Sequence, residues 1–117
     1  MLRVLEQDRE WRRAHPAEFL AEIADDLWLS MPDDEALDDF RLRLANVPWW
    51  AAAVVESLEH VLAHRPDWAA PTLVRASGRG PWLGGSPETE PEPYLDWLAR
   101  QVGPMRFALD QARGRSR

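Results

Sequence analysis

The 117-residue sequence contains no cysteine and no lysine, only one tyrosine, and no uncharged apolar run longer than Val47 to Val55. Each absence removes a class of protein. Without cysteine there are no disulfides, thiolate zinc sites, iron-sulfur clusters or cysteine nucleophiles, which fits a reducing compartment. The longest apolar run is far short of the ~20 residues that cross a bilayer. The opening MLRVLEQDREWRRAH breaks into charge too early for a signal-peptide core. A cytoplasmic chain with no membrane contact is therefore expected. Sustained period-two alternation is missing as well, so strands are not expected. There is no HExxH and no phosphate-loop lysine. Ser30, Ser57, Ser77, Ser86 and Ser116 all lie outside glycine-elbow settings. No cofactor is expected, and the reading leans away from an enzyme.

What the chain does have is acid, arginine, proline and tryptophan. Twenty Asp and Glu against fourteen basic residues give a formal charge of -6. Such a surface repels phosphate backbones, so free nucleic acid is not an expected partner. Arginine at every basic position is explained by the codon bias of a GC-rich genome, and alternatively by its rigid five-donor fork. A chain of this length forms one core, and 45% apolar residues are enough to fill it.

Apolar spacing predicts an all-α, compact single-domain bundle of four to five helices over residues 1–112, followed by a disordered basic tail at 113–117. The first helix, about Leu2 to Ala14, is highly charged and stops before Pro16. The second runs from Pro16 to about Leu29 and turns Phe19, Leu20, Ile23 and Leu27 inward. The third follows from about Asp34 to Asn46, with Leu37, Phe40, Leu44 and Val47 inward and Asp33 as its cap. The fourth, Pro48 to His64, has the strongest pattern, with Ala51, Val54, Val55, Leu58, Val61 and Leu62 on one face, and is expected at the centre. Residues 67–92 are rich in proline and glycine and read as one long loop, with a short helix possible near Pro71 to Ala76. The last helix starts near Pro93, buries Leu95, Leu98 and Val102, and kinks or restarts at Gly103-Pro104 before ending near Gln111.

Three constellations stand out. Glu56, His60 and His64 recur every four residues on one helical face, a spacing at which two histidines can hold zinc. They point away from the core stripe and have no strong third ligand, so they are weak metal candidates and no metal is expected. The acidic segment from Asp25 to Asp39 lacks the register of a calcium loop. On helical phase it leaves Leu42 facing outward between Glu35, Asp38 and Asp39, and Leu29 outward beside Asp25. An apolar residue ringed by carboxylates resembles an interface core inside a charged rim. Of the seven tryptophans, Trp28, Trp50 and Trp97 fit the core, while Trp49 and Trp82, the latter at the GRGPWLGG loop tip, are candidate anchors. The function expected from these features is binding of a basic protein through Asp25, Leu29, Glu35, Asp38, Asp39, Leu42, Trp49 and Trp82. An inhibitor or immunity-type protein covering a cationic nuclease toxin is the concrete form. The alternatives are a homo-oligomeric structural or regulatory helical protein and a small metal-binding enzyme.

Overall fold

The computed structural model describes residues 5–29, 32–78 and 86–115, with backbone alone for 5–8 and 115. The chain is all-α: α1 (Leu5–Ala14), α2 (Pro16–Trp28), α3 (Asp33–Asn46), α4 (Pro48–His64), α5 (Ala69–Ser77) and α6 (Glu92–Arg115). The described residues thus form six helices rather than four to five. The difference is α5, which forms where a short helix was possible near Pro71 to Ala76 within the expected loop, and extends it at both ends. Pro71 is the third residue of α5, where its missing N–H would have had no intrahelical partner. Gly78 then ends the helix in the left-handed region at φ 68°. Ala69, Ala70 and Leu73 are fully buried, and α5 lies along α2.

Proline also starts α2 and α4. Its fixed φ suits the first helical turn, so the residues that end one helix begin the next. The apolar stripes meet as their spacing predicts. Leu20, Ile23 and Leu27 of α2, Phe40 and Leu44 of α3, Val54, Leu58 and Val61 of α4, and Leu95, Leu98 and Val102 of α6 form one continuous core. Each such side chain contributes about 1.5–3 kcal/mol when removed from water. Leu37 and Leu62 pack on its margin, half-buried. The centre is shared: α4 touches α2, α3 and α6, whereas α2 touches α1, α3, α4 and α5. The first helix docks on α2, where the Arg12 guanidinium lies 5.5 Å from the Phe19 ring centroid.

Asp33 does not cap α3. The position before the helix is Pro32, and no side chain caps that end. The Asp33 carboxylate instead accepts a hydrogen bond of 2.9 Å from the indole N–H of Trp97 on α6, and Gln101 Nε2 approaches the same oxygen at 3.5 Å. Trp97 packs edge-on against Trp28 of α2, with centroids 5.0 Å apart. A nearly buried indole N–H needs an acceptor, and the acid beside Pro32 supplies one across 64 residues of chain.

The helix does not restart at Gly103-Pro104, since α6 runs through Pro104 and on to Arg115. A residue before proline normally leaves the α region because its Cβ and N–H meet the pyrrolidine ring. Gly103 has no Cβ, and Pro104 is exposed, so water can satisfy the carbonyl that loses its donor. Apart from that ring, the space where a Cβ would stand at residue 103 is open. Gly103→Ala is therefore expected to forfeit the ~1 kcal/mol that the change usually gains in an exposed helix. Urea unfolding should give equal or lower stability than wild type. A full gain would mean that Pro104 places no constraint on its neighbour.

Candidate functional site

On α3 the phase set by Asp33, Ala36, Phe40 and Leu44 leaves the other side of the helix in solvent. Leu42 is 63% exposed, and Glu35 and Asp38 are exposed within two turns of it. Asp38 pairs with Arg41 at 3.5 Å, a contact at high exposure that contributes little. Asp39 is half-buried, and its Oδ2 is sealed from water without a hydrogen bond. The Arg43 Nε lies 2.9 Å from that oxygen and compensates its charge. Arg43 also reaches Asp26 of α2 at 3.4 Å and sits 5.0 Å from the Trp50 ring of α4. One guanidinium thus joins three helices, and Asp39 belongs to that junction as much as to the open face.

The remaining expected anchors are placed differently. Leu29 is 47% exposed, just past the end of α2, and leans on the end of α5. A Cβ on Gly78 would come within 2.8 Å of its Cδ1. Its outer half faces solvent, and Asp25 is exposed one turn away. Trp49 is half-buried. Trp82 falls outside the described residues. Sequence reasoning passed over Phe107, which is 61% exposed on α6. Helical phase would have found it, since it lies four residues after Gly103 and off the Val102–Met105–Leu109 stripe.

Among the described residues, clefts lie on two flanks of the core. The smaller, of about 200 Å³, is walled by Leu27, Trp28, Leu37 and Met105 and carries Asp33 and Asp34. The larger, of about 480 Å³, lies between the α1–α2 corner and α4. Arg9, Arg12 and Arg13 line one side, and Glu56, Ser57 and His60 the other.

His60 and His64 are exposed and stack on each other with centroids 4.0 Å apart. The His64 Nδ1 lies 2.9 Å from the His60 carbonyl oxygen. A carbonyl only accepts, so that nitrogen carries the proton and Nε2 keeps the lone pair of the ring. Among the described residues no group of three or more His, Cys, Asp or Glu could hold a metal ion. Among them, too, no helix is long and apolar enough to cross a membrane. Comparison with known proteins finds no matching family model, no matching curated protein and no matching solved structure.

The face of α4 that meets α6 is fastened by Arg106. Its Nε donates to Glu59 Oε2 at 2.9 Å while its other nitrogens engage Glu59 Oε1 and Asp110. The hydrogen bond from Arg106 holds the Glu59 carboxyl below its ordinary value of 4.5, against an opposing effect of burial. A depressed folded-state pKa contributes stability that is complete above the unfolded-state value and lost as pH falls through the folded one. Both side chains are about one-third exposed, at 32% and 39%. Solvent screening therefore limits the pair to about 0.5–1 kcal/mol. Glu59→Gln should lower stability by that amount at neutral pH and leave it unchanged in acid below the folded-state pKa. Urea unfolding at the two pH values checks this.

Proposed function

We propose that this chain is a small protein-binding module whose partner is a basic protein. The observation that carries the reading is Leu42, a large apolar side chain 63% exposed within one turn of Asp38 and Asp39. Buried alone it would add apolar area. Ringed by carboxylates it supplies an anchor whose surroundings select a cationic partner and steer its approach. The cleft carrying Asp33 and Asp34 supports the same partner chemistry. Its apolar walls suit the aliphatic stem of an arginine or lysine, and the exposed Asp34 carboxylate at its edge suits the charged head. An inhibitor or immunity-type protein that covers the active surface of a cationic nuclease toxin is the concrete form of this proposal.

The experiment compares wild type with Leu42→Asp and Asp38→Asn, immobilised and exposed to lysate of the native host. A basic protein should be retained at low salt and released as ionic strength rises. With that protein purified, Leu42→Asp should weaken the complex by about 2 kcal/mol or more. Asp38→Asn should slow association several-fold with little change in dissociation. Equal affinity across the three proteins, or an association rate indifferent to salt, would sink the proposal.

A second reading, self-association, draws on α6. Phe107 is exposed, and Gly103 and Gly114 lie four and seven residues from it with open space at both. A second copy could approach that backbone closely around the ring. Light scattering should give the monomer mass if the first reading holds. A dimer mass that Phe107→Glu returns to monomer would favour the second.

A further inference from the structure

One side of α6 turns a regular seam to solvent. Asp96, Arg100, Gly103, Phe107, Asp110 and Gly114 follow one another in alternating steps of four and three residues, and all six are exposed. That alternation is the spacing of the a and d positions by which one helix packs along another. The other sides of α6 meet α3, α4 and α5, so this side is left over when the bundle is complete.

Volume and charge along the seam are self-complementary in one orientation. Phe107 is the large side chain of the row, at 61% exposure. One turn before it, a Cβ on Gly103 would meet nothing within 4 Å beyond its chain neighbours. Arg100 is exposed and has no ion pair among the described residues. Asp110 is exposed too, and its Oδ1 accepts from Arg106 at 3.1 Å, which leaves room on the carboxylate for a second guanidinium. Two antiparallel copies related by a two-fold axis at residue 105 pair residues whose numbers sum to the same value. Residue 103 then faces 107 and residue 100 faces 110, each contact occurring twice, and a positions face d positions as an antiparallel seam requires. In a parallel pair Arg100 would face Arg100, Asp110 would face Asp110, and two Gly103 would leave a gap.

We infer that this seam joins two copies of the chain as an antiparallel, two-fold helix pair. The Phe107 ring of each copy enters the hole bounded by Arg100, Gly103, Pro104 and Phe107 of the other. The missing side chain at Gly103 lets the backbones close around the ring, and the contact removes from water apolar surface that the monomer leaves open. The reciprocal Arg100–Asp110 pairs set the register and reject the parallel arrangement. This geometry rests on the self-association reading and gives it a partner and an orientation; the α3 face takes no part in it. The pair is weak, because each copy contributes one helix where a stable interface engages ~20–30 residues a side, and because two chains of formal charge -6 repel. The chain is therefore a monomer in dilute solution and pairs at about 0.1 mM and above.

The test is sedimentation equilibrium of the full chain at physiological ionic strength, from about 10 μM to about 1 mM. A reversible monomer–dimer equilibrium is expected, and Phe107→Glu should weaken it at least about tenfold. Arg100→Asp and Asp110→Arg should each weaken it by a similar factor, since either change sets like charges opposite each other in both pairs. Mixed in equal amounts, these two variants should recover pairing of wild-type strength, because opposite charges then face each other at both contacts. Neither misfolding nor another register produces that recovery, and unchanged thermal unfolding verifies the fold of each variant. A wild-type chain that stays monomeric to about 1 mM overturns the inference together with the self-association reading. A wild-type dimer that Phe107→Glu leaves intact, or a mixture that pairs no better than either variant alone, overturns this geometry while self-association through another surface stands.

Discussion

The hydrogen bond from the Trp97 indole to the Asp33 carboxylate sets the rotation of α3, and the rest of the surface depends on that rotation. Asp33 can face α6 only if the residues three, seven and eleven positions later face the same way. Those residues are Ala36, Phe40 and Leu44, all buried. Glu35, Asp38 and Leu42 are thereby turned to solvent. Trp97 is itself held against Trp28, so α2, α3 and α6 meet at one point. Satisfying one buried N–H and exposing one leucine are the same geometric event.

Arginine has three distinct settings here, and the difference lies in what surrounds the guanidinium. Arg106 uses its fork on both oxygens of Glu59 and adds Asp110. Arg43 spreads over Asp26, Asp39 and the Trp50 face. Both arrangements need several planar donors or a flat cation on a ring, which an ammonium group would not reproduce. At these two positions the fork has a structural use, whatever codon bias contributes to the composition. Arg9, Arg12 and Arg13 form the third setting, gathered along one side of the larger cleft.

How much of this the sequence disclosed follows from the range of each interaction. The stripes of α2 and α4 are periodic patterns within one helix, so Leu20, Ile23, Val54 and Leu58 could be assigned inward from spacing alone. Asp33 was legible as an acid beside a helix start, but capping and tertiary hydrogen bonding leave the same local signature. Only the position of Trp97, far along the chain, distinguishes them. The α5 segment was legible only as a possible short helix because proline and glycine usually mark loops, whereas Pro71 and Gly78 occupy the two ends of a helix, where each is tolerated. Gly103-Pro104 shows the converse, a breaker disarmed by the residue before it. The cleft could not be read at all, since Arg13 and Glu56 are separated by more than forty residues and neither belongs to a motif.

The two surfaces rest on different elements, and this matters for any attempt to assign activity. The acidic face is built on α3, whose rotation is fixed by contacts with α2, α4 and α6. The larger cleft lies between the α1–α2 corner and α4, and no residue of α3 lines it. Substitutions at exposed positions of one surface share no partners with the other and should act additively. Asp39 is different, because Arg43 links it to α2 and to Trp50 of α4. Its replacement disturbs a junction inside the bundle, so a functional loss there would not by itself locate a binding surface. Asp38, whose only ion pair among the described residues is an exposed contact on its own helix, isolates the charge of the face from the stability of the fold.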